Sequence, residues 1–372
     1  MKVESFIPPL RTLMGPGPSD INPRVLAAMA RPTIGHLDPR FIELMDSIKE
    51  LLKYAFKTQN EVTFPISGPG SAGMEACFAN LVEEGDKVLV CINGVFGQRM
   101  YENVLRNGGV PIVIEDSWGE PIDLNKVEDA LKKDDDIKII SFVHAETSTG
   151  VLSDAKALGQ IAKDKIIIAD TVTSLAGSPL YVDQWGLDAV YSGSQKCLSA
   201  PPGLSPVSFS EKALSKIKTR KSKVKSWFLD LNLVLNYWSG DQARSYHHTA
   251  PINSLYALHE SLVLLKEEGL ENAWKRHHDL SSYLENQLKG LGFEYLVHPD
   301  YRTPQLNAVT IPEKIKDKLF REILLNQYNI EIGAGLGPLA GSIFRIGLMG
   351  ASCTYKNIDY LINAIKRISI NY

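Results

Sequence analysis

Short apolar runs alternate with longer amphipathic stretches through the first two thirds of the chain. β-Branched and other apolar residues cluster at 62–66, 87–92, 110–114, 137–143, 165–169 and 187–191. Between and before them, apolar positions recur at three- and four-residue intervals over 41–56, 72–81, 97–107, 124–133 and 155–163. The first pattern predicts strands and the second helices. Strands separated by helices need crossover connections, which implies a mostly parallel sheet. The near-continuous apolar runs suit strands covered on both faces. Residues 206–209 are expected to add an edge strand of opposite direction.

The rhythm changes later in the chain. A long helical pattern covers 254–291 and breaks near Gly269. Strand-like segments follow at 294–297 and 308–311, then a helix at 317–327, a strand at 330–332 and a last helix at 355–368. The expected architecture is α/β, with a mostly parallel central sheet and a smaller C-terminal α+β domain. The start, Met14-Gly15-Pro16-Gly17-Pro18-Ser19, is too rich in proline and glycine to be helical and reads as an ordered arm. The division is therefore 1–20 as an N-terminal arm, 21–265 as a large domain and 266–372 as a small domain.

Composition narrows the function classes. The 372 residues are 44% hydrophobic and 22% charged with a net charge of -3, which gives no sign of a nucleic-acid binder. The basic run Lys216, Lys218, Arg220, Lys221, Lys223 and Lys225 reads first as a solvated face, with steering of an anionic substrate as the sharper alternative. Cys77, Cys91, Cys197 and Cys353 are too scattered for a metal knuckle or a disulfide scaffold, so no metal site is expected. No stretch approaches the 18 apolar residues of a membrane span. Residues 1–13 lack the apolar core of a secretory signal. The final Ile370-Asn371-Tyr372 is not the usual peroxisomal tripeptide, and the compartment stays open among cytosol, peroxisome and mitochondrion.

Three places carry candidate chemistry. Ser67-Gly68-Pro69-Gly70-Ser71-Ala72-Gly73 follows a strand and opens a helix, where unpaired N–H groups can seat a phosphate. A plain flexible turn is the simpler reading, and a Walker A ending is absent. Asp170 ends an apolar strand, where open α/β sheets bind ligands. It could cap a helix, bind a metal or pair with a cationic ring nitrogen. Lys196 follows another strand in Tyr191-Ser192-Gly193-Ser194-Gln195-Lys196, and a lysine amine can form a Schiff base with an aldehyde cofactor. On these residues alone a lysine-based cofactor enzyme stands only modestly ahead of a dehydrogenase.

The motifs Tyr191-Ser192-Gly193-Ser194-Gln195-Lys196, Ala200-Pro201-Pro202-Gly203, Tyr246-His247-His248-Thr249, Gly335-Leu336-Gly337-Pro338 and Phe344-Arg345-Ile346-Gly347, in this order, resemble the alanine–glyoxylate and serine–pyruvate aminotransferase group of class V aminotransferases. The chain is also similar to the insect enzymes that transaminate hydroxykynurenine. The resemblance implies an aspartate-aminotransferase-like fold, pyridoxal 5'-phosphate as cofactor and a homodimer with shared active sites. It implies that Lys196 carries the cofactor, Asp170 pairs with the pyridine nitrogen, and Val172 and Phe96 flank the ring. Phe96 stands where the mammalian-like pattern usually has tryptophan, which keeps a π-face but loses the indole N–H. Thr147 stands near the cofactor hydroxyl at a position that matches a serine.

By the same resemblance, Gly70, Ser71 and Gln195 hold the phosphate, completed by Tyr246 and Thr249 of the other subunit. Ser71 departs from the histidine of the animal pattern, and Pro69 removes a backbone donor. For Tyr246 and Thr249 the plainer reading is a buried structural turn. Arg345 is expected to grip the substrate α-carboxylate, since guanidinium and carboxylate pair bidentately. The implied activity is transfer of an amino group from alanine to glyoxylate, with serine–pyruvate exchange beside it. Alternatives are hydroxykynurenine or kynurenine transamination, cysteine desulfuration through Cys353, and an inactive interaction protein on the same scaffold. The loops 32–38 and 333–338 are expected to set substrate size.

Overall fold

The computed structural model describes residues 4–238 and 244–370. Seven strands form its central sheet. In spatial order they are Val62–Ser67, Leu204–Phe209, Ala189–Tyr191, Ile166–Asp170, Ile137–Val143, Lys87–Ile92 and Val110–Glu115. Neighbours pair in parallel except at Leu204–Phe209, which is antiparallel to both of its neighbours. This corrects the expected edge placement of that segment. All six of its residues are buried, so it needs cover on both sides and a partner at both edges. Pro206 suggests an edge, but it stands opposite Pro65, so the two residues without an N–H share one rung.

Helix Val95–Arg106 packs on the strands it connects, Gly70–Leu81 packs mainly on Leu204–Phe209 and Ala189–Tyr191, and Pro39–Phe56 packs against the long helix Ile252–Glu268. The core between these layers includes Phe41, Phe56, Phe64, Phe78, Phe142 and Phe209, each almost fully buried. Truncating one such ring to alanine costs about 3–5 kcal/mol.

A second core gathers Leu280, Leu284, Phe344, Ile346, Leu361 and Met14 around the three-stranded antiparallel sheet of Leu306–Thr310, Ile343–Gly347 and Gly333–Ala334. Its central strand is the one that carries Arg345. The arm joins this region, since Thr12–Leu13 pairs in parallel with Ile330–Glu331. The long helical pattern divides at Gly269, whose φ of +86° favours glycine, giving Ile252–Glu268 and Leu270–Lys289. The strand expected at 294–297 reduces to one bridge, Tyr295 to Val309.

The basic run is more than a solvated face. Lys216 bridges Asp86, and Arg220 donates to the carbonyls of Asn80 and Val82. Among the described residues no helix is long and apolar enough to cross a membrane. The tripeptide at the carboxyl terminus runs into residues outside the described ones.

Candidate active site

The site lies where the strands Ile166–Asp170 and Ala189–Tyr191 end side by side, with Asp170 in register with Tyr191. The loop after Tyr191 is held rigidly. Ser194 donates through its N–H to the Leu204 carbonyl and through its hydroxyl to the Pro201 carbonyl, and the Ala200 N–H returns to Ser194. The carbonyl of Lys196 accepts from the Ser19 hydroxyl at 2.7 Å and from the Ser199 N–H at 3.0 Å. This fixes the lysine backbone from the arm and from its own loop.

The Lys196 side chain is 9% exposed and its ammonium donates to the Pro16 carbonyl. Burial lowers its pKa to about 8; Cys197 and Asp170 oppose that fall and the Arg345 guanidinium adds to it. Gly17, at φ +106°, makes the approach possible, because a Cβ there would lie 2.6 Å from the lysine Nζ. Asp170 is buried and desolvation raises its pKa to about 7. The Val172 N–H donates to Asp170 Oδ1 at 2.8 Å. The Tyr191 hydroxyl lies close enough to favour the charged carboxylate, yet it falls short of hydrogen-bond geometry and is buried without a partner.

Arg345 reaches the same crevice from the other sheet. Only 7% exposed, it donates through Nε to the Ala334 carbonyl at 2.6 Å and through Nη1 to the Thr147 carbonyl at 3.1 Å. Burial lowers its pKa to about 10 and the charge of Glu146 resists. Two of its five N–H donors are spent on backbone, and Nη2 stays available to an incoming carboxylate among the described residues. Thr147 is expected to act through its hydroxyl, but the bond seen uses its carbonyl. Phe96 is half-buried with the Arg99 guanidinium 4.7 Å from its ring centre.

The glycine-loop side is built differently. Helix Gly70–Leu81 starts after Pro69 with no side-chain cap, so its first N–H groups are open to an anion. A Cβ at Gly70 would sit 3.2 Å from Val172 Cγ2 and 3.5 Å from the Ser192 carbonyl oxygen. Ser71 is exposed, and the buried Gln195 Oε1 has no hydrogen-bond partner. Tyr246 and Thr249 are exposed, not buried in a turn, with hydroxyls 3.4 Å apart. Their segment is nonetheless anchored. His248 Nε2 meets Ser67 Oγ at 2.7 Å, His247 and His248 share a 2.8 Å contact, and Trp227 stacks on His247 at 4.5 Å. Sequence reasoning gave those two histidines no role; Ser67 at the head of the glycine loop was the available signal.

Cys353 is fully buried and burial pushes its thiol up to about 12, so it offers no thiolate of the kind desulfuration needs. A cavity of about 550 Å³ behind the lysine loop is walled by Cys197, Ser199, Arg276 and Cys353; Lys196, Asp170 and Arg345 do not line it, so it is a recess apart from this crevice. Among the described residues no group of three or more His, Cys, Asp or Glu is placed to hold a metal.

The donor set fits pyridoxal phosphate: a buried amine of lowered pKa, a buried carboxylate with acceptor capacity left, uncapped helix N–H groups and an unpartnered Gln195 oxygen. Comparison with known proteins agrees. The class V aminotransferase family model matches residues 18–361. The alanine–glyoxylate aminotransferase of Felis catus is 41% identical over 363 residues, covering 96% of this chain and 87% of its own. The (S)-ureidoglycine–glyoxylate transaminase of Bacillus subtilis is 35% identical, covering 98% and 92%. The crystal structure of the alanine–glyoxylate aminotransferase of Nostoc sp. superimposes with a TM-score of 0.96 at 43% identity, covering 99% of this chain and 97% of that one. The chain belongs to the class V aminotransferases, in the alanine–glyoxylate and serine–pyruvate group, and with that fold and family comes pyridoxal-phosphate-dependent transamination of small amino and keto acids.

Proposed function

We propose that the protein transfers the amino group of alanine to glyoxylate, giving pyruvate and glycine, with serine and pyruvate as a second pair. The observation that carries this reading is the meeting of Lys196, Asp170 and Arg345 in one buried crevice, each within electrostatic reach of the lysine. Similarity to two glyoxylate-using relatives, from Felis catus and Bacillus subtilis, supports the acceptor.

In this reading Lys196 holds the cofactor, Asp170 accepts from its ring nitrogen, Val172 and Phe96 flank the ring and Thr147 lies near its hydroxyl. Gly70, Ser71 and Gln195 hold the phosphate, joined by Tyr246 and Thr249 of the partner subunit in a homodimer. Pyridoxal phosphate, when bound, supplies an aldehyde and an electron-withdrawing ring.

The chain's own residues do the rest. Arg345 fixes the donor's α-carboxylate with its free Nη2 edge, which orients the α-carbon toward Lys196. Once the donor's amine has displaced it from the cofactor, Lys196 Nζ is free to take the α-proton as a general base, and the burial that lowers its pKa in the cofactor-free chain favours the neutral amine. The burial of Lys196 and Arg345 lowers the local dielectric, which strengthens these contacts.

The test is an activity panel on cofactor-saturated protein. Alanine, serine, hydroxykynurenine and (S)-ureidoglycine are each paired with glyoxylate and pyruvate. Alanine–glyoxylate turnover above the other pairs is expected. Its absence overturns the choice of substrate, and dominance of ureidoglycine would place the protein with the Bacillus relative instead.

A further inference from the structure

Glu146 had no part in the site as read from the sequence, yet it is one of the most enclosed charged groups of the large core. It is fully buried in a two-strand turn, between Ala145–Glu146 and Val151–Leu152. Its Oε1 accepts from the Ser148 N–H at 3.0 Å and the Ser148 hydroxyl at 2.6 Å. Its Oε2 accepts from the Phe96 N–H at 3.1 Å. Ser148 Oγ in turn accepts from the Val95 N–H at 3.0 Å.

The Val95 and Phe96 N–H groups open the twelve-residue helix Val95–Arg106. Its N-cap, Gly94, has no side chain with which to cap it. A carboxylate brought from another segment therefore satisfies donors that would otherwise be orphaned and sits at the favourable end of the helix dipole. The room is reserved by glycine, because a Cβ on Gly94 would fall 2.5 Å from Glu146 Cδ. The residue after Glu146 is Thr147, whose carbonyl receives Arg345 Nη1. One turn thus holds the backbone of Phe96 on one side and the guanidinium of Arg345 on the other.

We propose that Glu146 is a positioning residue that sets Phe96 and Arg345 in a fixed relation, so that the aromatic shelf and the carboxylate grip stay in register. This rests on the functional reading above for the roles of those two residues. Glu146 touches neither ring nor substrate and acts through Phe96, Ser148 and Thr147. Burial raises its pKa, while the Ser148, Phe96 and Gly97 donors favour the charged form. Glutamine is of equal size but offers one acceptor oxygen, and its NH₂ must face an N–H or hydroxyl donor.

The experiment begins with the wild-type chain. Cofactor-free protein is titrated with pyridoxal phosphate, reduced with borohydride and mapped. Failure to label Lys196 overturns the functional reading itself. With that reading secured, Glu146→Gln and Ser148→Ala are compared with wild type. The expected result for Glu146→Gln is a rise on the order of tenfold in KM for both alanine and glyoxylate, with a smaller change in kcat. Weaker cofactor affinity and an altered visible circular-dichroism band of the bound cofactor should accompany it. Ser148→Ala should show the same changes to a lesser degree. Inorganic phosphate binding to the cofactor-free protein should be unchanged, because the phosphate side does not touch Glu146. Wild-type KM values and cofactor band in Glu146→Gln overturn the proposal. So does parallel loss of phosphate binding, which marks general loosening. Glu146→Ala is not relied on, since an uncapped helix in the core can prevent folding.

Discussion

The two halves of the crevice are made in opposite ways. On the lysine side, Lys196, Asp170 and Arg345 are buried, and their contacts come from this chain's own arm, loops and sheets. On the glycine-loop side, the helix start is uncapped, Gln195 Oε1 is unpartnered, and Ser71, Tyr246 and Thr249 are exposed. Burial shifts the pKa values of Lys196, Asp170 and Arg345, and this chain's own backbone supplies a hydrogen-bond partner to each of the three. An anion seat can stay open, because water solvates free N–H groups until a phosphate arrives. The open half is where a second subunit can add to the site, which is the basis for the proposed sharing of Tyr246 and Thr249.

The largest expected effect belongs to the closed half. Lys196→Ala should lower kcat by roughly 10²–10⁴-fold or more, measured on protein saturated with cofactor. Arg345→Lys keeps the charge but loses the planar fork. It should reduce kcat/KM for alanine by on the order of 10–100-fold, from the loss of about 1.5–3 kcal/mol of charge-assisted hydrogen bonding. Equal activity of the lysine variant would mean that the carboxylate is gripped elsewhere.

The open half is tested by mixing subunits. Tyr246→Phe with Thr249→Ala should weaken cofactor affinity by about tenfold or more. A hybrid of that variant with Lys196→Ala sharpens the comparison. If the hydroxyls cross between subunits, one site in each hybrid has both its lysine and its hydroxyls, and tight cofactor binding with activity returns. If they serve their own chain, every site keeps a defect and nothing is restored.

Two pH experiments probe the closed half on cofactor-free protein. Asp170 has a folded pKa of about 7 against an ordinary 3.8, so the folded chain binds more protons than the unfolded chain between those values. This carboxyl therefore lowers stability progressively as pH rises from about 4 to 7. Asp170→Asn should remove that slope and gain about 1–3 kcal/mol in urea unfolding above pH 7. The smallest effect is a midpoint. Reaction of Lys196 with a small aldehyde should rise through pH of about 8, where an exposed lysine rises through 10.5.

Several features were legible in the sequence. The strands Lys87–Ile92 and Ile137–Val143 and the helix Leu124–Lys133 lie where periodicity puts them, because local patterning dominates in fully buried runs and amphipathic helices. The ordered motifs that contain Lys196 and Arg345 resemble one family, and that resemblance implies its cofactor. The strand Leu204–Phe209 reads correctly as reversed, but its expected edge position is wrong, since its neighbours Val62–Ser67 and Ala189–Tyr191 are set by non-local pairing.

The linear chain determined the buried strands and the amphipathic helices of the large domain and which chemical groups stand at their ends, because side-chain period and turn chemistry are local properties. Tertiary structure alone decided that Glu146 caps a helix some fifty positions earlier, that Pro16 of the arm meets Lys196, and that His248 anchors on Ser67. Those contacts join segments far apart in sequence. Buried donors and acceptors must find partners wherever the fold brings them, and no local pattern encodes which partner that is.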